Sequence, residues 1–173
     1  MTAPRIYLAG PDVFDVNAPR KFETLRQWCA ERGLQGMEPS DGEMQTRPGP
    51  GPVIAQRIYR ANITLLESCQ GVIANLVPFR GTEPDSGTVF EIGYAVAKGL
   101  PVACVCPRAD RPYRERVVES CGTSECGRYD ASQGWLIEDF GLPENLMLAV
   151  SCKICSSEEE ALDWLKAQLQ GPL

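Results

Sequence analysis

The sequence predicts an α/β protein built on a doubly wound, mainly parallel sheet with helices on both faces. Short apolar runs rich in strand formers alternate with segments of helical periodicity along the whole chain. Two of the runs, RIYLA at residues 5–9 and GVIANL at residues 71–76, are continuously apolar, as strands buried on both faces of a parallel sheet are. The chain has 173 residues, 43% hydrophobic and 23% charged, which is enough for one domain with a substantial core and is unlike a disordered polymer. Neither an internal repeat nor a linker divides it, so residues 1–173 read as a single domain.

Each element follows from local pattern. Residues 5–9 are the first strand, stopped by Gly10-Pro11. Residues 18–32 place Phe22, Leu25, Trp28 and Cys29 at helical spacing, with Gly33 as the stop. Residues 34–37 are a second strand, and residues 41–51, ending in RPGPGP, are a long irregular connection of the kind that is often functional. Helical periodicity returns over 53–68 through Ile54, Ile58, Ile63, Leu65 and Leu66, followed by the strand at 71–76. A loop over 77–86 leads to a helix over 87–98 and a fourth strand, PVACVC, at 101–106. Residues 107–142 are rich in charge, Gly and Cys, and predict little regular structure. A short helix begun by Pro143 runs to residue 151, and 153–155 form the last strand. The helix over 156–168 carries Ser157 as N-cap and Glu160 in the capping-box position.

Composition removes several chemistries. There is no His, so Ser-His-Asp and Cys-His machinery, an imidazole base and His-ligated metals are excluded. Acid–base work near neutral pH falls to carboxylates, Tyr, Lys or Cys. The eight cysteines include Cys152-x-x-Cys155, which with Cys121 and Cys126 could offer four thiolates to zinc, but on loose spacing. A redox C-x-x-C belongs after the first strand, which this one does not follow. The cysteines therefore read as small buried hydrophobes in a reducing compartment, with no metal site. A net charge of −6 argues against gripping a nucleic-acid backbone, though not against a single nucleoside. No run approaches the roughly 18–20 apolar residues of a membrane span, and the N-terminus lacks the apolar core of a signal peptide. A cytoplasmic location is the expectation.

Ligands of doubly wound sheets bind outside the carboxyl ends of the strands, which directs attention to the loops after Ala9, Leu76 and Cys106. After the first strand, Gly10-Pro11-Asp12-Val13-Phe14 sets an acid and an aromatic at that edge. After the third, the chain runs PFRGTEPDSGTVFEIGYA, with Asp85 just ahead of a helix and Glu91 in its first turns. Asp85 or Ser86 could simply cap that helix. Glu91 lies between Phe90 and Ile92, an unusual setting for a solvated surface acid. The glycines do not reproduce G-x-G-x-x-G, and no G-x-x-x-x-G-K-[ST] occurs, so neither a dinucleotide site nor P-loop phosphoryl transfer is supported.

Four stretches in order, IYLAGP at 6–11, VIANL at 72–76, EPDSGTVFEIGYA at 83–95 and NLM at 145–147, resemble the nucleoside 2-deoxyribosyltransferase family. The D-S-G-T-x-F-E-I-G-Y-A block is the specific part of the likeness. The resemblance implies a flavodoxin-like five-stranded parallel sheet and an enzyme that exchanges the base of a 2′-deoxyribonucleoside without a cofactor. It implies Glu91 as a nucleophile that forms a deoxyribosyl ester, Asp85 as the acid near the departing base, and Tyr7 as the hydroxyl that orients Glu91. Asn145 would hold the sugar 5′-hydroxyl from a neighbouring subunit, with Met147 in the same wall, so a homo-oligomer of at least two copies with shared sites is expected. Phe14 would stack on the base, and Gly10, Asp12 and Gly87 would complete the substrate-binding set. The family commonly has a second Asp where this chain has Gln70 or Asn62. Asn62 can bond a base edge but cannot deliver a proton, which leaves Asp85 as the acid and base preference open.

These residue types suit the chemistry. Cleaving an N-glycosidic bond builds oxocarbenium character that a carboxylate stabilises and then traps, and two displacements retain configuration. The partners expected are deoxynucleosides and free bases, with slow hydrolysis as a side reaction. A deoxynucleoside or 5′-monophosphate hydrolase is the alternative, with Arg80 as a candidate phosphate contact. A non-catalytic nucleotide-binding module and a flavin electron carrier are weaker readings, the first because sensing does not require both acids, the second because no flavin phosphate loop is evident.

Overall fold

The structure, a computed structural model, describes residues 2–39 and 50–170. Five strands form one sheet: β1 (Arg5–Ala9), β2 (Gln35–Met37), β3 (Gly71–Asn75), β4 (Val102–Val105) and β5 (Lys153–Cys155). Their order is β2-β1-β3-β4-β5, with every pairing parallel. This is the flavodoxin-like doubly wound order, whose direction of winding reverses between β1 and β3.

Alternation along β1 assigns the two faces. Ile6 and Leu8 point to one side, where they pack with Ile73, Ala103 and Val105. That side is covered by α1 (Ala18–Glu31) through Phe22 and Cys29, and by α6 (Glu158–Gln170) through Leu162 and Leu165. Tyr7 and Ala9 point to the other side, against Val72, Ala74, Val102 and Cys104. There α2 (Gly51–Glu67) contributes Leu66, α3 (Ser86–Ala97) contributes Ile92 and Ala95, and the short α5 (Leu146–Ser151) contributes Leu148. Each fully buried aliphatic side chain stabilises the fold by about 1.5–3 kcal/mol, so both faces contribute to holding the sheet.

The ends of several elements differ from the sequence expectation for local reasons. Gly51, the last residue of the expected 41–51 connection, already belongs to α2; residues 40–49 lie outside the described residues. The helix expected from Pro143 starts at Leu146 instead, because the Asn145 side chain caps it by accepting from Met147 N at 3.0 Å. At α6, Ser157 Oγ accepts from Glu160 N at 3.2 Å as expected of the cap, while the Glu160 carboxylate reaches back to Ser156 N and Oγ at 2.8 and 2.9 Å.

Residues 107–142 hold more order than expected. They contain a nine-residue helix, α4 (Tyr113–Cys121), and two antiparallel bridges, Thr123 with Asp130 and Tyr129 with Leu136. The helix is hard to read in sequence because the side chain it buries is Arg116, not an apolar residue. Asp130 anchors the ribbon that follows, accepting from Ser132 N, Ser132 Oγ, Gln133 N and Trp135 N at 2.7–3.0 Å. The Ser132 hydroxyl and the backbone donors pull its carboxyl down to about 2.

The cysteines divide. Cys29, Cys69, Cys104, Cys106 and Cys155 are buried as expected of small hydrophobes, Cys121 and Cys152 are half-buried, and Cys126 is exposed. Cys126 departs from the expectation because it sits exposed in the turn of the ribbon. Among the described residues, no group of three or more metal-ligating side chains gathers, and no helix is long and apolar enough to cross a membrane.

Candidate active site

Tyr7 is fully buried in the middle of β1, on the face covered by α2 and α3. Its hydroxyl donates to Glu91 Oε1 at 2.5 Å, a contact that joins residues 84 positions apart. Glu91 takes this place because α3 buries Thr88, Ile92 and Ala95 against the sheet. Glu91 therefore stands at the margin of the buried stripe, half-buried, one turn beyond Thr88. Asn62 is buried on α2 one turn before Leu66, facing the same layer.

Asp85 is the N-cap of α3. Its Oδ2 accepts from Thr88 N at 2.9 Å and from Thr88 Oγ1 at 3.0 Å. The capping role weighed for Asp85 from sequence is therefore present, and it fixes the carboxylate at the mouth of the helix that carries Glu91. Gly87 leaves room for it: a Cβ there would sit 3.0 Å from Asp85 Oδ2.

The loop after β1 is built more tightly than its sequence implied. Residues 11–14 form a 3-10 turn, and Asp12 is buried beneath it. Asp12 Oδ1 accepts from Lys21 Nζ at 3.0 Å and Oδ2 from Asn75 Nδ2 at 2.9 Å, which ties the end of β1 to the end of β3 across the switch point. Gly10 allows this approach, since a Cβ would lie 2.9 Å from Asp12 Oδ2 and 3.0 Å from Asn75 Cβ. Phe14 is half-exposed and stacks on Phe79, centroids 5.4 Å apart. The Arg80 guanidinium lies over both rings, at 5.6 and 4.6 Å, on a backbone with φ of 54°. Arg80 is thus a partner of two aromatic rings on the loops flanking the switch point.

Asn145 and Met147 stand at the start of α5. Their helix, α5, leads into the edge strand β5, with β3 and β4 between it and β1. At about 4.8 Å per strand, β5 is roughly 14 Å from β1. Asn145 Nδ2 donates to Glu138 Oε1 at 2.7 Å, and Glu138 Oε2 accepts from Leu146 N at 3.0 Å. Met147 is 70% exposed. The structure thus gathers Tyr7, Glu91, Asn62 and Asp85 around α3 on one face, sets Gly10, Asp12 and Phe14 in the adjoining loop, and places Asn145 and Met147 at the start of α5, whose Leu148 packs in the same core layer as Tyr7 and Ile92.

Several side chains at this edge were not singled out from sequence. Thr88, Phe79 and Glu83 lie inside the motif-bearing stretch and were within reach of a closer reading. Tyr113, Arg116 and Glu138 lie in the segment that read as irregular, and Glu144 at the start of the helix expected from Pro143, where no pattern marks them.

A family model for nucleoside 2-deoxyribosyltransferases matches residues 6–147. The chain is 34% identical to a 2-deoxyribosyltransferase from Leishmania mexicana, covering 94% of this chain and 97% of that one, with a TM-score of 0.75. A conserved protein from Enterococcus faecalis shares the fold at 21% identity and a TM-score of 0.60, over 96% and 99% of the two chains. An uncharacterized protein of Schizosaccharomyces pombe is 38% identical over 102 residues, 58% of this chain and 48% of that one, so the chain spans about half the length of this curated relative. With the motifs, the sheet order and these likenesses agreeing, the chain belongs to the nucleoside 2-deoxyribosyltransferase family.

Proposed function

We propose that this protein transfers 2-deoxyribose between nucleobases through an ester on Glu91. The observation that carries the reading is the Tyr7–Glu91 hydrogen bond, which sets a carboxylate of α3 in a fixed orientation beside the carboxyl end of β1. A buried tyrosine held by the core loses little further freedom when it orients its partner, which is how a nucleophile is pre-organised.

In the first step a Glu91 oxygen bonds to C1′ of the deoxynucleoside as the N-glycosidic bond breaks. The bonding pair leaves with the base nitrogen, and Asp85 supplies the proton the base needs. The result is a deoxyribosyl ester on Glu91, the free base and Asp85 as a carboxylate. In the second step the acceptor base attacks C1′ from the opposite side, its proton returns to Asp85, and Glu91 is released. Two inversions retain the configuration. Phe14 offers a ring face to the base, and Asn62 a hydrogen bond to its edge. Asn145 and Met147, at the start of α5, serve the 5′ end of a nucleoside bound by a neighbouring copy.

Incubating a deoxynucleoside with and without a second base tests the reading. A new deoxynucleoside should form, and sugar release without the acceptor should be much slower. Base release at one rate in both tubes, with no new nucleoside, would make the protein a hydrolase instead.

A further inference from the structure

The face of Asp85 toward α3 is held by Thr88, but its other flank is the loop 79–84, and a contact from outside the motif fastens that loop. Tyr113, the first residue of α4, donates its hydroxyl to Glu83 Oε1 at 2.8 Å. Glu83 stands two residues before Asp85, and its carbonyl accepts from Phe79 N at 2.9 Å, closing the loop on itself. The fastening is only as firm as α4, and α4 is pinned to the segment 142–144. Tyr113 N donates to Leu142 O at 2.7 Å. Arg116 Nη2 donates to Pro143 O at 2.5 Å and to Glu144 Oε1 at 2.6 Å, in a pair whose side chains are 6% and 0% exposed. Cys106, just past β4, donates its thiol to the same Glu144 oxygen at 3.5 Å. The Arg116 guanidinium also lies 5.7 Å from the Tyr113 ring centroid.

That arrangement is costly. Arg116 Nε and Glu144 Oε2 are buried without a hydrogen-bond partner among the described residues. Well-packed apolar side chains in the place of a buried ion pair are often at least as stabilising. What the pair does supply is a definite location for α4, and so for the Tyr113 hydroxyl. Burial and the neighbouring Glu83 carboxylate push that hydroxyl's pKa far up, so Tyr113 remains a proton donor to Glu83 across the working range.

We propose that Tyr113 is a positioning residue for the base-protonating acid: through Glu83 it fixes the loop that presents Asp85 to the leaving base. Tyr113 itself touches neither sugar nor base. The inference rests on the reading of Asp85 as the acid, and it makes a claim that reading alone does not. Loosening the latch should harm only departures that need a proton.

The test follows base release in a single turnover without acceptor, the step in which Asp85 gives its proton, from two donor nucleosides, with transfer to adenine measured alongside. One is the faster of 2′-deoxyinosine and thymidine, whose bases need a proton to leave. The other is 7-methyl-2′-deoxyguanosine, whose base is already cationic and leaves neutral. Tyr113→Phe keeps the ring and removes only the hydroxyl; Glu83→Ala breaks the same bond from the other end with α4 untouched. Both should lower the single-turnover rate of base release about tenfold on the first donor with the half-saturating concentration little changed, and less than twofold on the methylated donor, since misplacement of an acid matters only where the acid acts. Glu83→Gln, which still accepts from Tyr113, should stay near the wild-type rate. An equal loss on both donors, or no loss on either, would overturn the proposal while leaving the transferase reading intact. A wild-type protein that transfers from neither donor would instead overturn that reading, and this inference with it.

Discussion

Around Tyr7 and Glu91 the molecule sets a hydrogen bond into apolar packing; around α4 it sets a charged pair where packing would ordinarily be. The first region draws its geometry from strand alternation and from the buried stripe of α3, so Glu91 is placed by Thr88, Ile92 and Ala95 before it is oriented by Tyr7. The second draws its geometry from Arg116 and Glu144, with little apolar surface to guide it. The difference teaches that the groups proposed to perform the chemistry can ride on an ordinary core, whereas the loops around them need specific polar contacts to hold one position. Four substitutions or conditions bear on that contrast.

The largest effect should come from Glu91→Gln. Exchange should fall by about 10³-fold or more, as loss of a covalent nucleophile does, while the thermal melt stays close to that of the wild type. Steady-state rates beside a melting curve check it, and retained exchange would remove the nucleophile from Glu91.

Arg116→Met should be next, and should act on stability. It leaves Glu144 buried without its cation, at a cost of about 3–5 kcal/mol. Burial already pushes the Glu144 carboxyl up and Arg116 pulls it back, so without Arg116 its pKa rises further. A protonated Glu144 is cheaper to bury, so the deficit should shrink as pH is lowered from 8 toward 5. Urea unfolding at several pH values measures it; a deficit independent of pH would show that the charge pair is not what holds α4.

Tyr7→Phe should sit between catalysis and stability. The ring still fills the core, so the fold should lose only about 1 kcal/mol for the missing hydrogen bond. The rate should fall about 10–100-fold because Glu91 loses its orientation. A stability loss of several kcal/mol with an unchanged rate would make Tyr7 a core residue only.

The smallest effect belongs to Asp130. Its carboxyl sits near 2 in the folded chain against about 3.9 when unfolded. The contribution is therefore fully present above the unfolded value and is lost as pH falls through the folded one. Between pH 4 and 2 the 123–136 ribbon should loosen ahead of the sheet, seen as faster amide exchange at Ser132, Gln133 and Trp135. Unchanged protection there at pH 2 would contradict the assignment.

The same contrast explains what could be read from the chain alone. Strands such as β1 and β3 declare themselves because burial on both faces demands unbroken apolar runs, and α3 declares itself through Asp85 and the stripe behind it. The Glu91 block was legible through its D-S-G-T-x-F-E-I-G-Y-A resemblance, whereas the buried Thr88 that spaces the cap from the carboxylate was not read. The helix α4 was not, since its buried residue is an arginine whose partner lies 28 positions away. Asp12 was seen as an acid at the ligand edge, but its pairing with Lys21 and Asn75 depends on strand order, which local pattern does not carry. Asn145 was visible in its motif, while its bond to Glu138 depends on a segment that local pattern left irregular.

The central claim is a covalent one, and intact-protein mass spectrometry tests it most directly. The enzyme, mixed with a slowly turned-over 2′-fluorinated deoxynucleoside, should gain the mass of one sugar residue, and peptide mapping should place it on Glu91. An adduct on another residue, or base release with no adduct while the same analogue is consumed, would contradict the account.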